Sequence, residues 1–140
     1  MKLMVLVASI FLMAVHAFAG SGIYEFNCGK SMNVTRTLKV FPKAPGTDGY
    51  TLGGEYVTSG PDPVTGMVSA ITVNLIGQTD LSSELTGKEI PVFTMLDAQN
   101  LFFQVVVAQT DTLGESVPAA EINLKSSDVV EFNCELVSIH

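Results

Sequence analysis

Beyond a largely apolar beginning, hydrophobic and polar residues alternate along the chain in short runs. Over residues 33–41, Val34, Leu38 and Val40 fall on one face, with Thr35, Thr37 and Lys39 on the other. That period of two is the mark of a strand, because successive side chains point to opposite faces. Over residues 67–76, Met67, Ser69, Ile71, Val73 and Leu75 alternate with Val68, Ala70, Thr72 and Asn74, and the odd set is expected to face the core. Further strands are expected over 22–28, 50–58, 90–96, 121–125 and 129–139. Residues 101–109 are apolar on both faces (Leu101, Phe102, Phe103, then Val105, Val106, Val107) and predict a strand in the middle of a packed sheet. Phe26, Phe132, Ile71, Val73, Phe103 and Val105 are the predicted core.

Turn chemistry separates these runs. Residues 42–49 hold two prolines and two glycines, 59–66 read Ser-Gly-Pro-Asp-Pro-Val-Thr-Gly, and 110–119 form a third expected loop. Gly53-Gly54 inside a strand predicts a bulge or a bend, and Pro91 predicts a strand that starts at a sheet edge. The polar stretch 77–88 admits one helical turn capped by Asp80 and ending near Gly87. No segment keeps a period of 3.6 over two turns. The pattern predicts an all-β fold of about eight mostly antiparallel short strands. A small barrel is preferred and a two-sheet sandwich is the alternative.

The beginning of the chain carries a different message. Lys2 precedes an apolar run over residues 3–15, and Ala17-Phe18-Ala19 puts small residues where a signal peptidase reads. Spanning a bilayer takes about 20 residues, so the run predicts a signal peptide over 1–19, cleaved after Ala19, rather than an anchor. Residues 20–140 then form one secreted β domain, extracellular or periplasmic, and no later segment is long and apolar enough to span a membrane as a helix. Without Lys2, six basic and fourteen acidic residues leave a net charge of −8. That field disfavours nucleic acid and permits a basic partner without naming one. Cys28 and Cys134, an even count in an exported chain, are expected to form a disulfide.

Catalytic chemistry is sparse. His16 departs with the signal and His140 ends the chain, where disorder is common, so no Ser-His-Asp triad or multi-histidine zinc site is expected. The sequence calls for no cofactor, no metal and no catalytic residue. Carboxylate chemistry needs only two placed acids, yet Asp48, Asp62, Asp80, Asp97 and Asp111 all lie beside turn residues, where Asp bonds nearby backbone N–H groups. Glu25-Phe26-Asn27-Cys28 recurs as Glu131-Phe132-Asn133-Cys134. The copies predict either a paired Glu25–Glu131 site or two similar strands bordering one disulfide, and the second is preferred. Asn33-Val34-Thr35 is a glycosylation sequon in a eukaryotic source. Size, export signal and terminal cysteines resemble small periplasmic β-barrels, including the lysozyme-inhibitor type, in architecture; no inhibitor motif reads in the residues.

The expected function is a non-enzymatic binding or interaction module with an acidic surface. Its contacts, with an unknown protein or small molecule, would fall on the loops 42–49, 59–66 and 110–119. The alternatives are a carrier of a small apolar ligand, its lumen lined by Phe102 and Val106, and a carboxylate hydrolase.

Overall fold

In the computed structural model, which describes residues 22–31 and 33–140, the alternating runs become eight strands. They are β1 (Tyr24–Ser31), β2 (Val34–Pro42), β3 (Leu52–Pro61), β4 (Val68–Ser82), β5 (Ile90–Asp97), β6 (Phe103–Ala108), β7 (Ser116–Asn123) and β8 (Val129–Ile139). Each is antiparallel to the next and β8 pairs back onto β1, so the sheet closes into an up-and-down barrel rather than a sandwich. The expected signal peptide and its cleavage after Ala19 lie outside the described residues.

Inward faces fill the lumen. Phe26, Leu38, Tyr56, Met95, Val105, Val107 and Leu136 are almost completely buried and belong to one core. Tyr24 and Phe26 each meet Phe93 edge-on, with ring centroids 5.6 and 6.4 Å apart. An eight-stranded barrel is just wide enough to be filled by side chains or to hold one small ligand; this packing favours the filled core. Phe102 is largely exposed before β6, and Val106 lies between Val105 and Val107 on the opposite face, so neither lines the lumen. Arg36 and Tyr56 add polar groups inside. The Arg36 guanidinium sits 5.1 Å from the Phe132 ring centroid. Burial pushes the Tyr56 phenol up, with Glu121 adding to the rise and Arg36 opposing it.

The structure changes several expectations. No bulge occurs at Gly53-Gly54, where both ladders run without a shift. Glycine is needed there for space, since a Cβ on Gly54 would lie 2.6 Å from the Lys39 carbonyl oxygen. Asp80 caps no helix; it pairs with Val92 inside β4, which continues to Ser82. Pro91 lies at no free edge, because β5 has neighbours on both sides. It is the second residue of its strand, where the Gln109 N–H donates to its carbonyl at 3.0 Å, so its missing N–H removes only the one reciprocal bond at the start of the β5–β6 ladder. The expected loop 110–119 is shorter, because β7 begins at Ser116.

Of the predicted core, Phe26 and Val105 are buried, while Val73, Phe103 and Phe132 are partly buried and pack against it. Ile71 is 62% exposed and Met67 71%. The reason is the length of β4, 15 residues, where strands commonly have about 3–10. Its residues 68–77 pair with β3 and its residues 75–82 with β5, so only Leu75–Gly77 are paired on both sides. The first half of β4 is therefore covered on the β3 side alone and forms an open edge of the barrel wall, while β3 itself stays paired to β2 as far as Ser59.

Candidate functional site

A meander alternates its connections between the two ends of the barrel. The turns β1–β2, β3–β4, β5–β6 and β7–β8 share one end, and the loops β2–β3, β4–β5 and β6–β7 share the other with Ile23 and His140. The three loops expected to carry contacts thus do not form one surface. Residues 42–49 and 110–119 lie at the end with Ile23 and His140, and 59–66 lies at the opposite end.

That opposite end is apolar. Val64, Met67, Val68 and Ile71 are exposed on the β3–β4 hairpin, and Leu101, Phe102, Leu124 and Val129 on the β5–β6 and β7–β8 turns. They are eight of the thirteen exposed large hydrophobic residues among those described. Hydrogen bonds close these turns and tie two of them together. Asp62 Oδ1 accepts from the N–H groups of Val64 (2.7 Å) and Thr65 (3.0 Å), which holds its carboxyl below the usual range. Buried Asp97 accepts from Gln99 (3.0 Å) and Asn100 (3.2 Å). The Leu124 N–H donates to the Phe102 carbonyl at 2.9 Å, and Lys125 Nζ lies 4.3 Å from the Phe102 ring centroid. These aspartates therefore serve as turn locks, as their positions beside turn residues predict. Asn33 of the sequon is exposed at the same end, with a left-handed φ of 64°. Asn tolerates that conformation because its short side chain bonds locally.

A second region lies on the outer wall. An open groove of about 420 Å³ crosses β1, β2 and β3, bordered by Glu25, Lys39, Glu55 and Val137. Cross-strand register aligns Glu25 with Lys39 and Lys39 with Glu55. Lys39 Nζ lies 3.6 Å from Glu25 and 3.9 Å from Glu55, all three side chains being substantially exposed. Exposed pairs of this kind contribute about 0–1 kcal/mol each.

Ser138 and His140 join Glu25 there, an arrangement that the sequence reading missed. A one-residue shift in the β1–β8 ladder, between Glu25–Ser138 and Phe26–Leu136, leaves Val137 as an extra residue. Strict alternation from Cys134 and Leu136 would turn Ser138 inward; the bulge turns it outward beside Glu25. The terminus is also tied down, since Ile23 and His140 exchange backbone bonds of 3.1 and 3.0 Å. Ser138 Oγ donates to Glu25 Oε2 at 2.9 Å, and His140 Nε2 lies 3.1 Å from Ser138 Oγ and 3.7 Å from Glu25 Oε2. The Ser138 bond is the main cause that lowers the Glu25 pKa.

This is not the geometry of an activated nucleophile. A catalytic serine gives its proton to one ring nitrogen while an acid orients the other; here Ser138 donates to the acid, and one nitrogen faces both partners. A lowered Glu25 pKa also runs opposite to the raised value that a general acid needs.

Cys28 and Cys134 are bonded, with Cα atoms 3.9 Å apart. They continue the Asn27–Glu135 register, so the bond crosses the β1–β8 seam. The two Glu-Phe-Asn-Cys copies run apart from that bond: Glu25 faces Ser138, whereas Glu131 faces Ala120 on β7. At about 3.3 Å per residue, Glu131 and Ser138 are separated by more than 20 Å along β8. Glu25 and Glu131 therefore form no paired site. Among the described residues, no three His, Cys, Asp or Glu side chains gather as a metal site, and no helix is long and apolar enough to cross a membrane. In comparisons with family models, curated proteins and solved structures, the chain matches none.

Proposed function

We propose that the protein is an exported, non-enzymatic binding module whose contact surface is the apolar end of the barrel. The observation that carries this reading is the concentration of exposed hydrophobic side chains at one end, above turns locked by Asp62 and Asp97. A large exposed apolar patch costs solubility and marks an interaction site far more often than scattered apolar residues do. Rigid turns lower the entropy lost when such a surface binds. The disulfide fits an oxidising compartment, in keeping with export.

The test is capture of partners from the fluid into which the protein is exported. Immobilised wild type is compared with Val64→Asp/Phe102→Asp, two changes at exposed positions. The expected result is a captured species that the double variant loses while its melting temperature is unchanged. Equal capture by both proteins contradicts the reading. Turnover of a glycan or peptide panel that is lost in Glu25→Gln replaces it with a carboxylate enzyme working from the outer groove.

A further inference from the structure

We propose that two copies of this chain associate through the unpaired edge of β4, strand against strand, about a two-fold axis at Ile71. The inference rests on reading that end of the barrel as a contact surface, and it names the occupant.

The edge follows from the register. Beyond the Leu75–Asp97 pair, β4 has no partner among the described residues on the side facing β5. The Asn74 carbonyl still accepts from Ala98 N–H at 3.0 Å, so Asn74 points its backbone groups to that side. Residues of an antiparallel strand alternate the neighbour they bond. Thr72 and Ala70 therefore aim both N–H and C=O into the unpaired side, and every residue of 68–72 is exposed.

Natural sheets blunt such edges with charge, proline, a bulge or a cover. Here residues 64–79 contain no ionisable side chain and no proline, and the β3–β4 ladder has no register shift. The other unpaired half of β4, residues 78–82 on the side facing β3, carries Asp80. One half of the strand bears the usual guard and the other lacks it.

Charge then selects the occupant. The chain has 14 acidic and 7 basic residues, so two copies repel over much of their surface. The uncharged stretch of β4 is where they meet without that cost. Symmetry agrees, because a two-fold interface must be self-complementary. Centred on Ile71, the pairing sets Ala70 of one copy opposite Thr72 of the other, twice. Both are residues whose backbone groups face outward, so each pair exchanges both of its hydrogen bonds. Ile71 meets Ile71 between them as the close, non-hydrogen-bonded pair. Each hairpin tip then reaches the β5–β6 turn of the other copy, next to exposed Leu101.

The experiment is sedimentation velocity on the oxidised protein over a concentration series, with amide hydrogen exchange at the same concentrations. Wild type is expected to pass from monomer to dimer, with the Ala70 and Thr72 amides slowing as dimer forms. Ile71→Lys brings two ammonium groups together at the axis and should weaken association about tenfold or more. Thr72→Pro removes one outward N–H and should weaken it as well. Both positions are exposed in the monomer, and an unchanged melting temperature in dilute solution shows that each variant is folded. A wild type that stays monomeric throughout overturns the proposal, as does a dimer that survives both substitutions. So does protection of these amides only upon adding an extended peptide or a phosphatidylcholine vesicle. Capture lost in Val64→Asp/Phe102→Asp from a monomeric wild type leaves the binding reading intact and removes this one alone.

Discussion

Glu25 shows how much a single residue's behaviour depends on neighbours far away in sequence. Its carboxyl is held below the ordinary 4.5 first by the Ser138 hydroxyl, then by Lys39 and His140, against a desolvation that raises it. Asp48 and Asp62 are likewise held below 3.8, each chiefly by backbone N–H groups of its own turn. A carboxylate lowered in the folded state binds fewer protons there than in the unfolded chain. Its stabilising contribution is complete above the ordinary value and is lost as pH falls through the lowered one. The urea midpoint should therefore fall on acidification from above 4.5, and Glu25→Gln should flatten the upper part of that fall. Midpoints measured against pH for both proteins decide it; an equal or steeper fall in Glu25→Gln contradicts the role given to Ser138. The bonds of Asp48 and Asp62 are legible in sequence because they are local. Those of Glu25 are not, because the Val137 bulge that creates them leaves no mark in the residue pattern.

β4 makes the same point at the level of the element. Its alternation of apolar and polar residues is clear, and the strand exists where that alternation predicts one. Alternation tells which residues share a face; it does not tell whether anything packs against that face. Leu75, paired on both sides, is 3% exposed, while Ile71, four residues earlier on the same face, is 62% exposed. Leu75→Ala should cost about 2–5 kcal/mol, as truncation of a buried aliphatic side chain does. Ile71→Ala should stay within about 0.5 kcal/mol when measured on dilute monomer. Denaturant unfolding of the two variants checks this, and equal losses would show that the hairpin packs onto the barrel.

At the scale of the molecule, closure is the costly step. The strand pairs formed by neighbours in the meander need only short loops, whereas β1 and β8 are the first and last strands. The Cys28–Cys134 bond crosses that seam with a sequence separation of 106. Closing a loop of that order in the unfolded chain corresponds to about 4–5 kcal/mol in the chain-entropy model, set against a typical domain stability of about 5–15 kcal/mol. Reduction, or Cys134→Ser, should therefore lower the melting temperature strongly and increase hydrogen exchange first along β1 and β8. Native exported protein that reacts with thiol reagents before reduction would refute the bond. A melting temperature unchanged by Cys134→Ser would show that the seam holds without it.

The chain's own pattern determined the all-β class, the strand count and most strand positions, because alternation and turn chemistry are local properties. It also determined that Asp48, Asp62 and Asp97 would bond the backbone of their own turns, whereas Asp111 accepts from the distant Tyr24 hydroxyl. Tertiary structure decided the rest: the closed barrel, the half of β4 left unpaired on its β5 side, the ends to which the loops go, and the meeting of Glu25, Ser138 and His140. The loop ends follow from the order of the meander, and the others depend on register between strands. A shift of one residue reverses every face beyond it, and the meeting of Glu25 with Ser138 rests on the closure of β8 onto β1, between residues more than a hundred positions apart.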